Sequence, residues 1–177
     1  MKKMLVLGLI MVFSLLSACS SEPKAITSKE DIQAHVQNFY DKMSGIEEEG
    51  KSSLQDFNTS LTSHSEGKVT DKQLLKAIEE FQSTATDLLK RVNDVKISSG
   101  LPKDIKAYLE DSKIAFKSAY LLKEQASKSA DSADVTAEEF KELNDNADLA
   151  MMYGISKLNE ARVASGLVDP DSTVEPK

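Results

Sequence analysis

The sequence predicts an all-α fold, an up-down-up-down four-helix bundle made from a duplicated helical hairpin of about 66 residues. Three observations predict it. Apolar side chains recur at helical spacing in four stretches. Capping residues open these stretches, and glycine-containing turns close them. The opening and closing signals of the second stretch recur in the fourth at one constant offset.

The first stripe runs Ile32, Val36, Phe39, Met43, Ile46, Leu54, Phe57 and Leu61, with Gly50 on its one missing rung. Such spacing describes one long amphipathic helix. Thr27 with Glu30, or Ser28 with Asp31, fits a capping box that starts it. The polar run from Ser63 to Lys68 ends it.

In the second helix, Thr70 caps, Gln73 reciprocates, and Val69 staples onto Leu74. Leu74, Ile78, Phe81, Ala85, Leu88, Val92 and Val95 then form a heptad seam. The helix is expected to stop at Gly100-Leu101-Pro102. There Gly100 supplies a left-handed C-terminal residue, Leu101 an apolar contact, and Pro102 blocks continuation.

The third helix presents Ile105, Tyr108, Leu109, Ala115, Phe116, Ala119, Tyr120 and Leu122, with Ile114 and Leu121 off that face. Those two side chains either widen the buried face or mark a contact surface. A polar link from Ser127 to Asp134 follows, and Val135-Thr136 restates the staple and cap of the second helix. The fourth stripe is Phe140, Leu143, Ala147, Met151, Ile155, Leu158 and Ala161, ending at Gly166-Leu167. Residues 167–177 read as a flexible tail.

Val69 and Val135, Thr70 and Thr136, Gly100 and Gly166, and Leu101 and Leu167 are each 66 residues apart. Between Arg91–Leu101 and Lys157–Leu167, four of eleven aligned positions are identical. The same offset sets Phe39 over Ile105, Met43 over Leu109 and Leu54 over Tyr120. The repeat therefore divides residues 28–166 into hairpins 28–100 and 101–166. Helices of roughly 30 residues make this bundle a rod about 45 Å long.

Composition limits the function classes. Of 177 residues, 40% are hydrophobic, which is too many for wholesale disorder. One cysteine permits neither an internal disulfide framework nor a cysteine-based zinc finger. A formal charge of −7 argues against nucleic acid as a partner, because phosphate binding needs a basic face.

The first 18 residues form a separate segment. Lys2 and Lys3 precede the apolar run Met4–Leu16, then come Ser17, Ala18 and Cys19. That is the grammar of a secretory signal, and the run is too short for a mature span, which needs about 20 residues. Leu16-Ser17-Ala18-Cys19 resembles the lipobox of bacterial lipoproteins, the small helical lipoproteins of Gram-positive type. The resemblance implies cleavage before Cys19, a diacylglyceryl group on its thiol, residues 19–27 as a lipidated tether, and a location on the outer face of the cell membrane. Twenty lysines against two arginines suggest a low-GC genome, and with the lipobox favour a Gram-positive host. Loss of Lys2 and Lys3 leaves 20 basic against 29 acidic groups in the mature chain.

Charge is uneven along the expected rod. The acidic tip comprises Asp131, Asp134, Glu138, Glu139, Glu142, Asp145 and Asp148, and is a candidate partner surface. Lys90, Arg91, Lys96, Lys103 and Lys106 gather toward the anchored end, where anionic lipid lies. Helix dipoles account for most of this arrangement, but not for Lys103 and Lys106 at a helix start. Asn93 and Asn159, equivalent in the two repeats, are placed to hydrogen-bond between helices and hold register.

No catalytic constellation is legible. His35 follows Asp31 by four residues, His64 lies in a polar loop, and no Glu-x-x-His pair, Gly-x-Ser-x-Gly elbow or phosphate-binding glycine loop occurs. The expectation is a non-enzymatic, cofactor-free, lipid-anchored module that contacts an envelope protein or the cell wall. A bundle binding a small ligand or metal is one alternative. Another is an exclusion lipoprotein against phage or conjugation, whose protection would need Cys19.

Overall fold

In a computed structural model, which describes residue 26, residues 28–130 and residues 137–169, these described residues form four α-helices. They are α1 (Lys29–Ser65), α2 (Asp71–Asp94), α3 (Lys103–Ala130) and α4 (Ala137–Ala164), and no strand occurs among the described residues. Cys19 and its lipobox, the Thr27 cap, the segment 131–136 with Asp131, Asp134 and Thr136, and the tail from Pro170 lie outside the described residues.

Local chemistry explains the helix ends. Ser28 caps α1 by accepting from the Asp31 N–H at 3.0 Å. At the other end Gly67 (φ 70°) donates to His64 and Lys68 to Ser63, a Schellman close. Thr70 and Gln73 form the expected capping box on α2. Gly166 (φ 73°) closes α4 in the same manner as Gly67 closes α1, with Leu167 donating to Arg162.

The end of α2 departs from expectation. The helix stops at Asp94, and Val95 is already extended, so Gly100 does not serve as its left-handed terminus. The reason is tertiary. Lys113 of α3 donates to the carbonyls of Asn93 and Val95 at 2.8 and 2.6 Å, placing a cation at the negative end of the helix dipole. Val95 and Leu101 are buried along the irregular segment, and the Gly100 carbonyl accepts from the Ile26 N–H at 2.8 Å. The repeated Ser-Gly-Leu signal thus falls on two different backbones, a helix close at Gly166 and a loop at Gly100.

The four stripes build the core. Val36, Phe39, Met43 and Ile46 meet Leu88, Val92, Leu109, Phe116, Tyr120 and Leu158 in the main cluster. Phe57, Ile78 and Phe81 form a smaller cluster toward the far end. Phe57 stacks on Phe81 with ring centroids 4.8 Å apart and also touches Phe140 of α4.

Consecutive helices are neighbours, as an up-down-up-down bundle requires. Among the four neighbouring pairs, α3 with α4 is the most extensive and α1 with α4 the slightest. Small residues bring the first pair close: a Cβ on Gly154 would stand 2.6 Å from Phe116 and 3.2 Å from the Ala115 methyl. The start of α1 lies against the end of α4, where Gln33 donates to the Ser165 and Gly166 carbonyls at 3.1 and 2.9 Å. The start of α1, the α2–α3 turn and the end of α4 therefore share one end of the rod.

Candidate functional site

The seam between α1 and α4 is fastened at both ends and open between them. At one end Gln33 bonds Ser165 and Gly166, and the Arg162 guanidinium lies 4.1 Å over the Tyr40 ring. At the other, Phe57 meets Phe140. Between these clasps is a cleft of about 320 Å³, walled by Gly50 and Leu54 of α1 and by Met151 and Ile155 of α4. Tyr120 and Lys123 of α3 form its floor.

Two polar groups are set into that floor. The Tyr120 hydroxyl donates to the Ile46 carbonyl at 2.9 Å, and its ring is nearly fully buried. Burial, with help from the Glu47 carboxylate, pushes the Tyr120 hydroxyl well above its ordinary pKa, so it stays protonated at neutral pH. Lys123 has a side chain only 8% exposed and donates to Asp148 at 2.7 Å, whereas Asp148 is 61% exposed. The Lys123 side chain is buried, and its carboxylate partner lies on the exposed rim.

The acidic group expected at the tip is spread along α4. Glu138, Glu139 and Glu142 are exposed, and Asp145 pairs with Lys141 of the same helix. Asp148 lies about 17 Å beyond the start of α4 and belongs to the cleft through Lys123. Of the basic group, Lys90, Lys96 and Lys103 are exposed to solvent. Arg91 pairs with Glu49 of α1 and with Asp87, and Lys106 pairs with Glu110.

The other polar candidates divide between local partners and solvent. His64 bonds Asp71 at 2.8 Å across the α1–α2 turn, and His35 is exposed. Asn159 accepts from Arg162 of its own helix and Asn93 is exposed, so the pair does not join helices as expected. Among the described residues no three His, Cys, Asp or Glu side chains converge to hold a metal ion. No helix among them is long and apolar enough to cross a membrane.

Sequence reasoning missed Lys113 and Lys123. The signal for Lys123 was present, because it continues the buried spacing of Phe116, Ala119 and Tyr120 with a cation. Lys113 has its pKa lowered, first by desolvation and then by Lys96, which marks a cation held for structure beside another cation.

Ile114 and Leu121 of α3 and Leu149, Met152 and Tyr153 of α4 are exposed apolar side chains. For Ile114 and Leu121 the outcome is exposure and not a wider core. Comparison with protein-family models, curated proteins and solved structures finds no match to the chain.

Proposed function

We propose that the chain is a lipid-anchored, extracytoplasmic helical binding module that contacts an envelope protein or the cell wall. The observation that carries this reading is the polarity of the rod: the chain enters α1 at the end that also holds the α2–α3 turn and the end of α4. An anchor at Cys19, ten positions before the first residue of α1, holds the bundle by that end. Lys96 and Lys103 then face anionic lipid, and the acidic start of α4 points away from it. Exposed Ile114, Leu121 and Leu149 offer apolar contact along the sides.

Two measurements test this. Incorporation of labelled fatty acid into the chain is expected to vanish in Cys19→Ala. Photocrosslinking in intact cells from Glu138, with Lys103 as the control position, is expected to capture a discrete envelope component from Glu138 alone. Capture of the same species from both positions, or of nothing but lipid from Glu138, would overturn the binding-module reading.

A further inference from the structure

The α1–α4 cleft joins an apolar wall to a sunken cation, and this pairing selects a ligand class. Leu54, Met151, Met152 and Ile155 supply the wall, and the two methionines are unbranched and adapt to a chain of varying shape. Lys123 supplies the cation. An ammonium has three N–H donors, and the hydrogen bond found for Lys123 among the described residues is the one to Asp148. A cation on a buried side chain, with N–H donors left over, attracts oxyanions through charge-assisted hydrogen bonds. Asp148, which now occupies it, is mostly exposed and returns to water at little cost when displaced.

We propose that this cleft binds a free single-chain fatty acid, with the carboxylate on Lys123 and the aliphatic chain along Leu54, Met151 and Ile155. The volume of about 320 Å³ lies near the lower limit for ligand pockets, which suits one short chain and not a two-chain lipid. Asp148 acts as a built-in competitor for the ligand carboxylate. The Tyr120 hydroxyl spends its proton on Ile46 and keeps lone pairs for a bound hydroxyl or water. The proposal does not depend on the anchor at Cys19, and it gives a place to the small-ligand alternative raised by the sequence.

The test uses membranes from cells producing the full chain, treated with decanoic acid carrying a photoreactive diazirine near its chain end, and adducts are mapped by mass spectrometry. Adducts are expected on the α1 and α4 peptides containing Leu54 or Met151. Decanoate should compete and decanol should compete poorly. Lys123→Met should lower labelling by about tenfold or more, the worth of one charge-assisted hydrogen bond. Asp148→Asn should raise labelling, because the competing carboxylate is gone while Lys123 stays. Labelling that falls in Asp148→Asn would overturn the proposal, because the pair would then merely hold the fold. Circular dichroism of each purified full-length variant separates lost binding from lost structure, and the Asp148→Asn arm decides the matter if Lys123→Met does not fold. Adducts confined to exposed Ile114 or Leu121, or equal competition by decanol, would also overturn it.

Discussion

The ring of Tyr120 occupies the space that a side chain on Gly50 would fill. A Cβ at Gly50 would stand 2.5 Å from the Tyr120 hydroxyl oxygen and 2.9 Å from the ring, and the same hydroxyl donates to the Ile46 carbonyl one turn earlier. The gap in the apolar stripe of α1 is therefore the docking place of an aromatic side chain from α3. It also sets one wall of the cleft back.

Two glycines of α1 are expected to respond with opposite signs. A methyl group on Gly45 would meet nothing within 4 Å, so Gly45→Ala should gain about 0.5–1 kcal/mol from helix propensity alone. Gly50→Ala receives the same gain but must displace a buried, hydrogen-bonded ring, and a net loss of about 1–3 kcal/mol is expected. Chemical denaturation of both variants checks the contrast. A Gly50→Ala variant as stable as Gly45→Ala would contradict the docking of Tyr120.

Alkaline stability should depend on Tyr120. Its folded pKa is raised above the ordinary value of 10.0, chiefly by burial, so the folded chain holds this proton more tightly than the unfolded chain does. That contribution is complete below about pH 10 and declines as pH rises beyond it. Tyr120→Phe should lose about 0.5–1.5 kcal/mol at neutral pH with the bond to Ile46, and should show a shallower fall of stability above pH 10. Denaturation midpoints measured between about pH 7 and 11 test both signs.

Ser112 is fully buried on α3, and its hydroxyl has no hydrogen-bond partner among the described residues. An unpaired buried hydroxyl costs free energy, and alanine is the better helix former. Ser112→Ala is therefore expected to stabilise by about 1 kcal/mol, raising Tm by about 2–4 °C. A fall in Tm would mean that a bound water satisfies the hydroxyl.

Lys113 ends α2 by bonding the carbonyls of Asn93 and Val95. Removing the ammonium in Lys113→Met should cost about 1–2 kcal/mol, with faster amide exchange concentrated at residues 94–98. Exchange that rises evenly along α2 would instead mean that the lysine stabilises the bundle as a whole.

The candidate site was only partly legible in the sequence. Gly50 was visible as a missing rung, but nothing local tells which side chain fills the gap. Lys123 was visible as a cation at buried spacing, whereas its pairing with Asp148 spans 25 residues and requires α4 to lie beside α3. The acidic residues were legible as a charge run. Helix phase then divided them, leaving Glu138 and Glu142 in solvent and turning Asp148 to the cleft.

By itself the sequence determined the all-α class, the four helices, the Thr70 capping box and nearly all the buried positions of the stripes. These depend on side-chain period and on contacts within four residues, both written in the order of amino acids. The tertiary structure alone decided where α2 stops, since Lys113 reaches it from another helix and outweighs the Gly-Leu signal. It also decided that α4 closes on α3 and stands off from α1. Small residues on facing helices set how near two backbones come, and only their juxtaposition reveals which pair will close and which will leave a cleft.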